Sequence, residues 1–158
     1  MKHVYLLAVI IICFCASAGL ATPTPTRFHN EEADTARINK ILVESIASGF
    51  KSAGERTADI AMRFVGTPYV AHTLEGRPEV LTVNLDELDC TTFVETVMAL
   101  SYTVGEGRST WRDFLYNLQR LRYRRGEVNG YASRLHYISD WVIDNTHRGN
   151  FREVTANF

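Results

Sequence analysis

The segment Asp89-Cys90-Thr91-Thr92-Phe93-Val94-Glu95 sets the frame for the rest of the chain. Aspartate caps helix N-termini well, and Phe93, Val94, Val97 and Leu100 recur as one helical face. Cys90 is therefore read as the first residue of a helix. A thiol there faces unpaired backbone N–H groups and the positive end of the helix dipole, which favour its thiolate. The same N–H groups can hold the oxyanion formed when a thiolate adds to an amide carbonyl. The competing reading is a small buried hydrophobe, where free cysteines often sit.

On the N-terminal side, Val80-Leu81-Thr82-Val83-Asn84-Leu85 alternates with period two and predicts the one clear strand, followed by a polar turn over 86–89. Further back, Ile38, Ile41, Leu42 and Ile46 mark a helix from Asn30 to about Gly49, with Glu31, Glu32 and Asp34 in its first turn. A second helix is expected from about Ala53 to Val65. It would bury Ile60, Ala61 and Phe64 and stop at Gly66-Thr67-Pro68, with Tyr69 extended beyond the breaker.

On the C-terminal side, a fourth helix starts at Thr110, with Asp113 as capping-box partner and Trp111, Phe114, Leu115, Leu118 and Leu121 inward. A fifth spans about Leu135 to Arg148, with Ile138, Trp141 and Val142 inward and Gly149 as its stop. Arg120, Arg122, Arg124 and Arg125 cluster where the fourth helix ends. They read either as a solvated face or as a contact for an anionic partner.

With 158 residues, 46% hydrophobic and 22% charged, the composition is that of one globular domain. Its start differs. Lys2 and His3 precede an uncharged run, Val4 to Leu20, that closes on small residues, so residues 1–21 read as a secretory signal peptide. The alternative, a membrane anchor, would need roughly 20 apolar residues, more than this run supplies. Ile12 and Phe14, directly before Cys13 and Cys15, argue against lipid attachment. The expected destination is the periplasm or cell envelope.

Residues 22–29, beginning Thr22-Pro23-Thr24-Pro25-Thr26, read as a tether, and residues 30–158 as the folded domain. Without residues 1–21 the chain loses Lys2 and keeps 16 basic against 18 acidic side chains. That balance gives no reason to expect nucleic acid as a partner. Cys13 and Cys15 leave with the signal, so Cys90 is the one remaining thiol. An unpaired thiol in an oxidising compartment calls for a reason.

Gly66-Thr67-Pro68-Tyr69 followed by the Asp89–Glu95 run resembles the signature of the NlpC-type, papain-like cell-wall cysteine hydrolases. Three stretches are similar to one branch of that superfamily, the N-acetylmuramoyl-L-alanine amidases formerly grouped as a domain of unknown function. These are Thr73-Leu74-Glu75, the Asp89–Glu95 run, and Ser133-Arg134-Leu135-His136-Tyr137 with Asp140-Trp141. The likeness runs from about Ile38 to Phe158. It implies an α+β, papain-like fold, here mostly the helical portion with one clear strand and the C-terminal sheet largely missing. It also implies hydrolysis of the N-acetylmuramoyl-L-alanine amide bond in peptidoglycan or a muropeptide, without a cofactor.

For single positions the resemblance implies that Cys90 is the nucleophile, that Asp89 shapes its surroundings and that Tyr69 lines the site. A half-buried strand-edge tyrosine is the other reading of Tyr69. His136 is the candidate base, because a cysteine amidase needs an imidazole to pair with the thiol and protonate the leaving nitrogen. Placed four apart on one helix, His136 and Asp140 could pair, the acid orienting the ring. In the superfamily, however, the base histidine follows on a strand, and the 68 residues after Cys90 read as helices and loops. His136 therefore stands either as base or, with Arg134 and Asp140, as substrate-binding. A catalytically incomplete remnant or muropeptide-binding module is the alternative function. Cys90, His136, Asp140 and His147 lack zinc-site spacing, so no metal is expected.

Overall fold

The computed structural model describes residues 24–152 and 154; the signal-peptide reading of residues 1–21 lies outside them. In chain order the elements are β1 (Thr26–Phe28), α1 (Glu31–Ala47), α2 (Ala53–Met62), β2 (Leu81–Val83), α3 (Cys90–Gly105), α4 (Trp111–Arg122) and α5 (Ile138–His147). Two 3-10 turns, Arg124–Gly126 and Tyr131–Ser133, connect α4 to α5. The fold is α+β, mostly helical with a two-stranded sheet. Among the described residues no helix is long and apolar enough to cross a membrane.

The sheet corrects the N-terminal boundary. Thr26–Phe28, read as the end of a tether, pairs in parallel with β2, Arg27 lying opposite Thr82. Pro25 supplies its carbonyl to the Leu81 N–H, and the His29 N–H donates to the Val83 carbonyl. Phe28 packs edge-on against Trp111 at 5.9 Å. A proline just ahead of a strand loses nothing, since the donor it lacks is not needed there. The partner strand lies beyond both α1 and α2, so no local pattern announces the pairing.

Local signals placed the helices well. Asn30 caps α1 by accepting from the Ala33 N–H, Ser52 caps α2, and Thr110 with Asp113 forms a capping box on α4. The core joins Ile38 and Leu42 of α1, Ile60 of α2, Leu81 of β2, Leu100 of α3 and Phe114 of α4. Three expected core positions, Ile46, Val94 and Ile138, are exposed, while Ala61, Phe93, Trp111, Leu115 and Val142 are only partly buried against it. Polar groups take inward positions instead, among them Asp34, Ser45, Glu95 and Asn145. All three residues of β2 are buried, whereas alternation predicted one wet face. Thr82 is satisfied there because its hydroxyl accepts from Arg27 at 2.8 Å.

The most consequential of these polar positions is Glu95. Its carboxylate accepts from Arg122 Nε at 2.6 Å, and a second Arg122 N–H donates to the Thr82 carbonyl at 2.5 Å. One guanidinium thereby binds α3, α4 and β2 together. Burial pushes the Glu95 carboxyl above its ordinary range, against the attraction of Arg122. The basic cluster at the end of α4 is a solvated face only in part: Arg124 and Arg125 are exposed. Arg122 is interior, Arg124 pairs with Asp140 at 3.2 Å, and Arg120 lies 3.8 Å from Glu106.

Removing one partner of a buried pair strands the other charge, so Glu95→Ala is expected to destabilise the fold by about 3–5 kcal/mol. Urea unfolding would measure it, and a loss no larger than that of an exposed salt bridge would contradict the role given to this pair. Asp34 provides a pH-dependent case. Desolvation holds its carboxyl above the ordinary 3.8, despite backbone hydrogen bonds from Asn30 and Leu85 that act the other way. A raised folded value favours the folded state at pH below the unfolded value, and that contribution is lost as pH rises through the folded value. Asp34→Asn removes this dependence, so its stability relative to wild type is expected to rise as pH climbs through and above the ordinary aspartate range. Parallel stability curves for the two proteins would refute it.

Candidate active site

Cys90 is the first residue of α3 and is exposed, so the buried-hydrophobe reading does not apply. The preceding turn builds the site. Asp89 Oδ1 accepts from the Thr92 N–H at 2.8 Å and from the Thr92 hydroxyl at 2.9 Å, while that hydroxyl accepts from the Asp89 N–H at 2.8 Å. The Phe93 N–H donates to the Asp89 carbonyl at 2.9 Å. Among the described residues the N–H groups of Cys90 and Thr91 have no partner, as expected of the first positions of a helix. Two donors thus stand beside the sulfur. Asp89 is the cap of α3, its carboxylate engaged with Thr92.

Tyr69 reaches the same place through backbone pairing. The Leu88 N–H donates to the Pro68 carbonyl at 3.1 Å and the Val70 N–H to the Leu88 carbonyl at 3.2 Å, which sets Tyr69 beside the start of α3. Tyr69 is 71% exposed, more open than a half-buried edge residue. With Leu88, Asp89, Cys90 and the edge-on pair Phe64 and Phe93, it lines a cavity of about 230 Å³.

The other expected site residues gather elsewhere. The helix assumed to carry both His136 and Asp140 begins only at Ile138, so the pairing of the two does not form. The cause is a backbone bridge: Arg134 pairs with Tyr123, and the Leu135 N–H donates to the Arg122 carbonyl at 3.0 Å, holding this stretch extended. The His136 ring packs 4.2 Å from that of Tyr131, with Nε2 2.9 Å from the Tyr131 carbonyl oxygen. Asp140 pairs with Arg124 instead.

Arg134 is internal. Its guanidinium lies 2.9 Å from Glu75 Oε1 and 3.2 Å from Glu79 Oε1, and it also sits over the Tyr131 ring. Glu79 Oε1 accepts from the Tyr123 hydroxyl at 2.8 Å, and burial raises the Tyr123 phenol above its ordinary range. Two sequence stretches quoted above, Thr73-Leu74-Glu75 and Ser133-Arg134, thus meet as an ion pair. Glu75 was visible as part of a motif, whereas Glu79 and Tyr131 carried no signal in sequence. Among the described residues, Cys90 Sγ has one hydrogen-bonding neighbour, Thr91 Oγ1 at 4.0 Å, and no imidazole. Nor does any group of three or more His, Cys, Asp and Glu side chains there have the arrangement to hold a metal ion.

Residues 59–158 match the model of the N-acetylmuramoyl-L-alanine amidase-like family. Among solved structures, an N-acetylmuramoyl-L-alanine amidase from Bacteroides uniformis is 44% identical with a TM-score of 0.58, over 61% of this chain and 41% of that one. A Bacteroides fragilis protein carrying a provisional xylanase name is 46% identical with a TM-score of 0.60, over 63% of this chain and 44% of that one. A Legionella pneumophila protein is 27% identical with a TM-score of 0.62, over 75% of this chain and 39% of that one. The chain spans about two-fifths of the length of these structures. No curated protein matches it.

Exposure of Cys90 predicts that iodoacetamide labels it stoichiometrically in the native protein, without denaturant. Labelling that needs urea would mean that the thiol is covered. Asp89→Ala removes the cap and is expected to cost about 1 kcal/mol in urea unfolding, with Asp89→Asn retaining most of it.

Proposed function

Because the chain belongs to the N-acetylmuramoyl-L-alanine amidase-like family, we propose that it is an exported cysteine hydrolase of papain-like, NlpC type. Its substrate is peptidoglycan or a muropeptide in the periplasm or cell envelope. The bond cut is the amide joining the lactyl group of N-acetylmuramic acid to the first L-alanine of the stem peptide. The observation that carries this reading is the exposed thiol at the capped start of α3, beside two N–H groups without partners.

In the proposed reaction the Cys90 thiolate adds to the lactyl carbonyl carbon, and the Cys90 and Thr91 N–H groups stabilise the oxyanion. The C–N bond breaks, the alanine nitrogen leaves with a proton from a general acid, and a thioester remains. Water hydrolyses the thioester and restores the thiol. Tyr69, on the cavity wall, is suited to donate a hydrogen bond to the substrate. His136 is the proposed imidazole partner. It exchanges its contact with the Tyr131 carbonyl for the thiol when it acts as base, and otherwise serves substrate binding with Arg134 and Asp140.

A second reading, a muropeptide-binding module without hydrolysis, is favoured by one observation, the absence of an imidazole hydrogen-bonded to Cys90 among the described residues. The two part on one measurement. Mass spectrometry of a muramyl peptide incubated with the protein is expected to show free stem peptide, lost by at least about a thousandfold in Cys90→Ala. Intact substrate bound by both proteins would select the binding module. His136→Ala is expected to retain substrate affinity but lose turnover if the ring is the base, and to lose affinity if it serves binding.

A further inference from the structure

The two outer edges of the sheet differ. Along a strand, successive residues turn their N–H and C=O groups to opposite sides. Pro25 and His29 pair with β2, so Thr26 and Phe28 turn their groups away from it. On β2 the corresponding outward carbonyls are occupied: that of Thr82 accepts from Arg122, and that of Val80 accepts from the Tyr123 hydroxyl at 3.0 Å. On β1 the outward N–H and C=O groups of Thr26 and Phe28 have no partner among the described residues. Proteins guard such edges with proline, charge or a covering element. Here Pro25 aims its carbonyl at β2, and the Arg27 side chain is held by the Leu74 carbonyl at 3.2 Å and the Thr82 hydroxyl at 2.8 Å. Neither guards the edge.

Side chains decide what this edge can accept. Thr26 and Phe28 share one face of β1, opposite to Arg27. On that face lies a groove of about 600 Å³ walled by Phe28, Trp111, Leu115 and Tyr116. It also carries Glu31 and Arg112, both exposed and neither in an ion pair among the described residues. Alternating unpaired backbone groups beside an apolar wall fit an added strand. Symmetry selects which strand. Thr26 and Phe28 stand evenly about Arg27, and each offers a donor and an acceptor. Turned antiparallel, a second β1 sets its Phe28 opposite Thr26 and its Thr26 opposite Phe28, so all four outward N–H groups find a carbonyl. The two grooves then share one face of the sheet, and each copy brings one acid and one base, so no net charge opposes their approach. A sheet of two three-residue strands becomes one of four.

We propose that β1 and its groove form an interface between two copies of this chain, joined by antiparallel pairing of the two β1 strands about a two-fold axis at Arg27. The pairing does not depend on hydrolase activity.

Sedimentation equilibrium of the full chain over a concentration series is expected to show a monomer–dimer equilibrium. Thr26→Pro removes an outward N–H and leaves every bond to β2. It is expected to weaken dimerisation about thirtyfold, the scale of one hydrogen bond lost from each copy. Thr26→Val keeps that N–H and is expected to dimerise as wild type does. Tyr116 is 56% exposed, so Tyr116→Glu leaves the fold intact while adding two acids to the interface, and is expected to weaken the dimer at least about tenfold. Amide exchange at Thr26 and Phe28 is expected to slow as protein concentration rises. A monomer at every concentration, or a dimer untouched by both Thr26→Pro and Tyr116→Glu, would overturn the proposal. So would slow exchange independent of concentration, which assigns the edge to another segment of the same chain, and fast exchange at every concentration, which leaves it to a different protein.

Discussion

A single buried guanidinium organises this molecule. Arg122, the last residue of α4, neutralises Glu95 of α3 and holds the Thr82 carbonyl of β2. A charged pair in an apolar interior is costly unless geometry and hydrogen bonding are both good, and removal of either partner leaves the other stranded. That requirement constrains where α3 lies relative to the sheet and to α4. Because Cys90 is the first residue of α3, it also constrains where the thiol points. The thiol at the surface is positioned by an electrostatic contact in the interior.

The second consequence of the chain leaving α4 concerns the residues that follow it. Tyr123 bridges to Arg134, and the Arg122 carbonyl takes the Leu135 N–H. The backbone before α5 is thereby kept extended, and His136 is presented on a turn beside Tyr131. The same bridge lets Arg134 turn inward to Glu75 and Glu79. The anchoring of Glu75 and Glu79 and the placement of the imidazole therefore share one structural origin. The small cavity at Cys90 has another, the pairing of Pro68 and Val70 with Leu88.

Features that depend on neighbours a few residues away were legible without coordinates. The caps at Asp89 and Thr110 lie at the predicted positions, because a side chain that accepts from an N–H three residues on needs only local geometry. Cys90 at the start of a helix follows from the same rule. Less legible were residues whose character is reversed by burial. Glu95 and Arg122 are charged and would be assigned to the surface, and only their mutual neutralisation makes an interior position tolerable. Val94 was misplaced for the complementary reason: Glu95 takes the inward position, and Val94 beside it points to solvent.

The sequence by itself determined the five helices, the caps at Asp89 and Thr110, the β2 segment and a thiol at a helix start, whose exposure the structure then decided. Only the tertiary structure decided that Thr26–Phe28 joins a sheet, that Arg134 faces Glu75 across the fold, and that His136 precedes α5 rather than riding on it. The division is one of range. A hydrogen bond within one helical turn is specified by adjacent residues, whereas strand pairing and buried ion pairs bring together groups tens of residues apart, whose free energy depends on the burial that the whole chain creates.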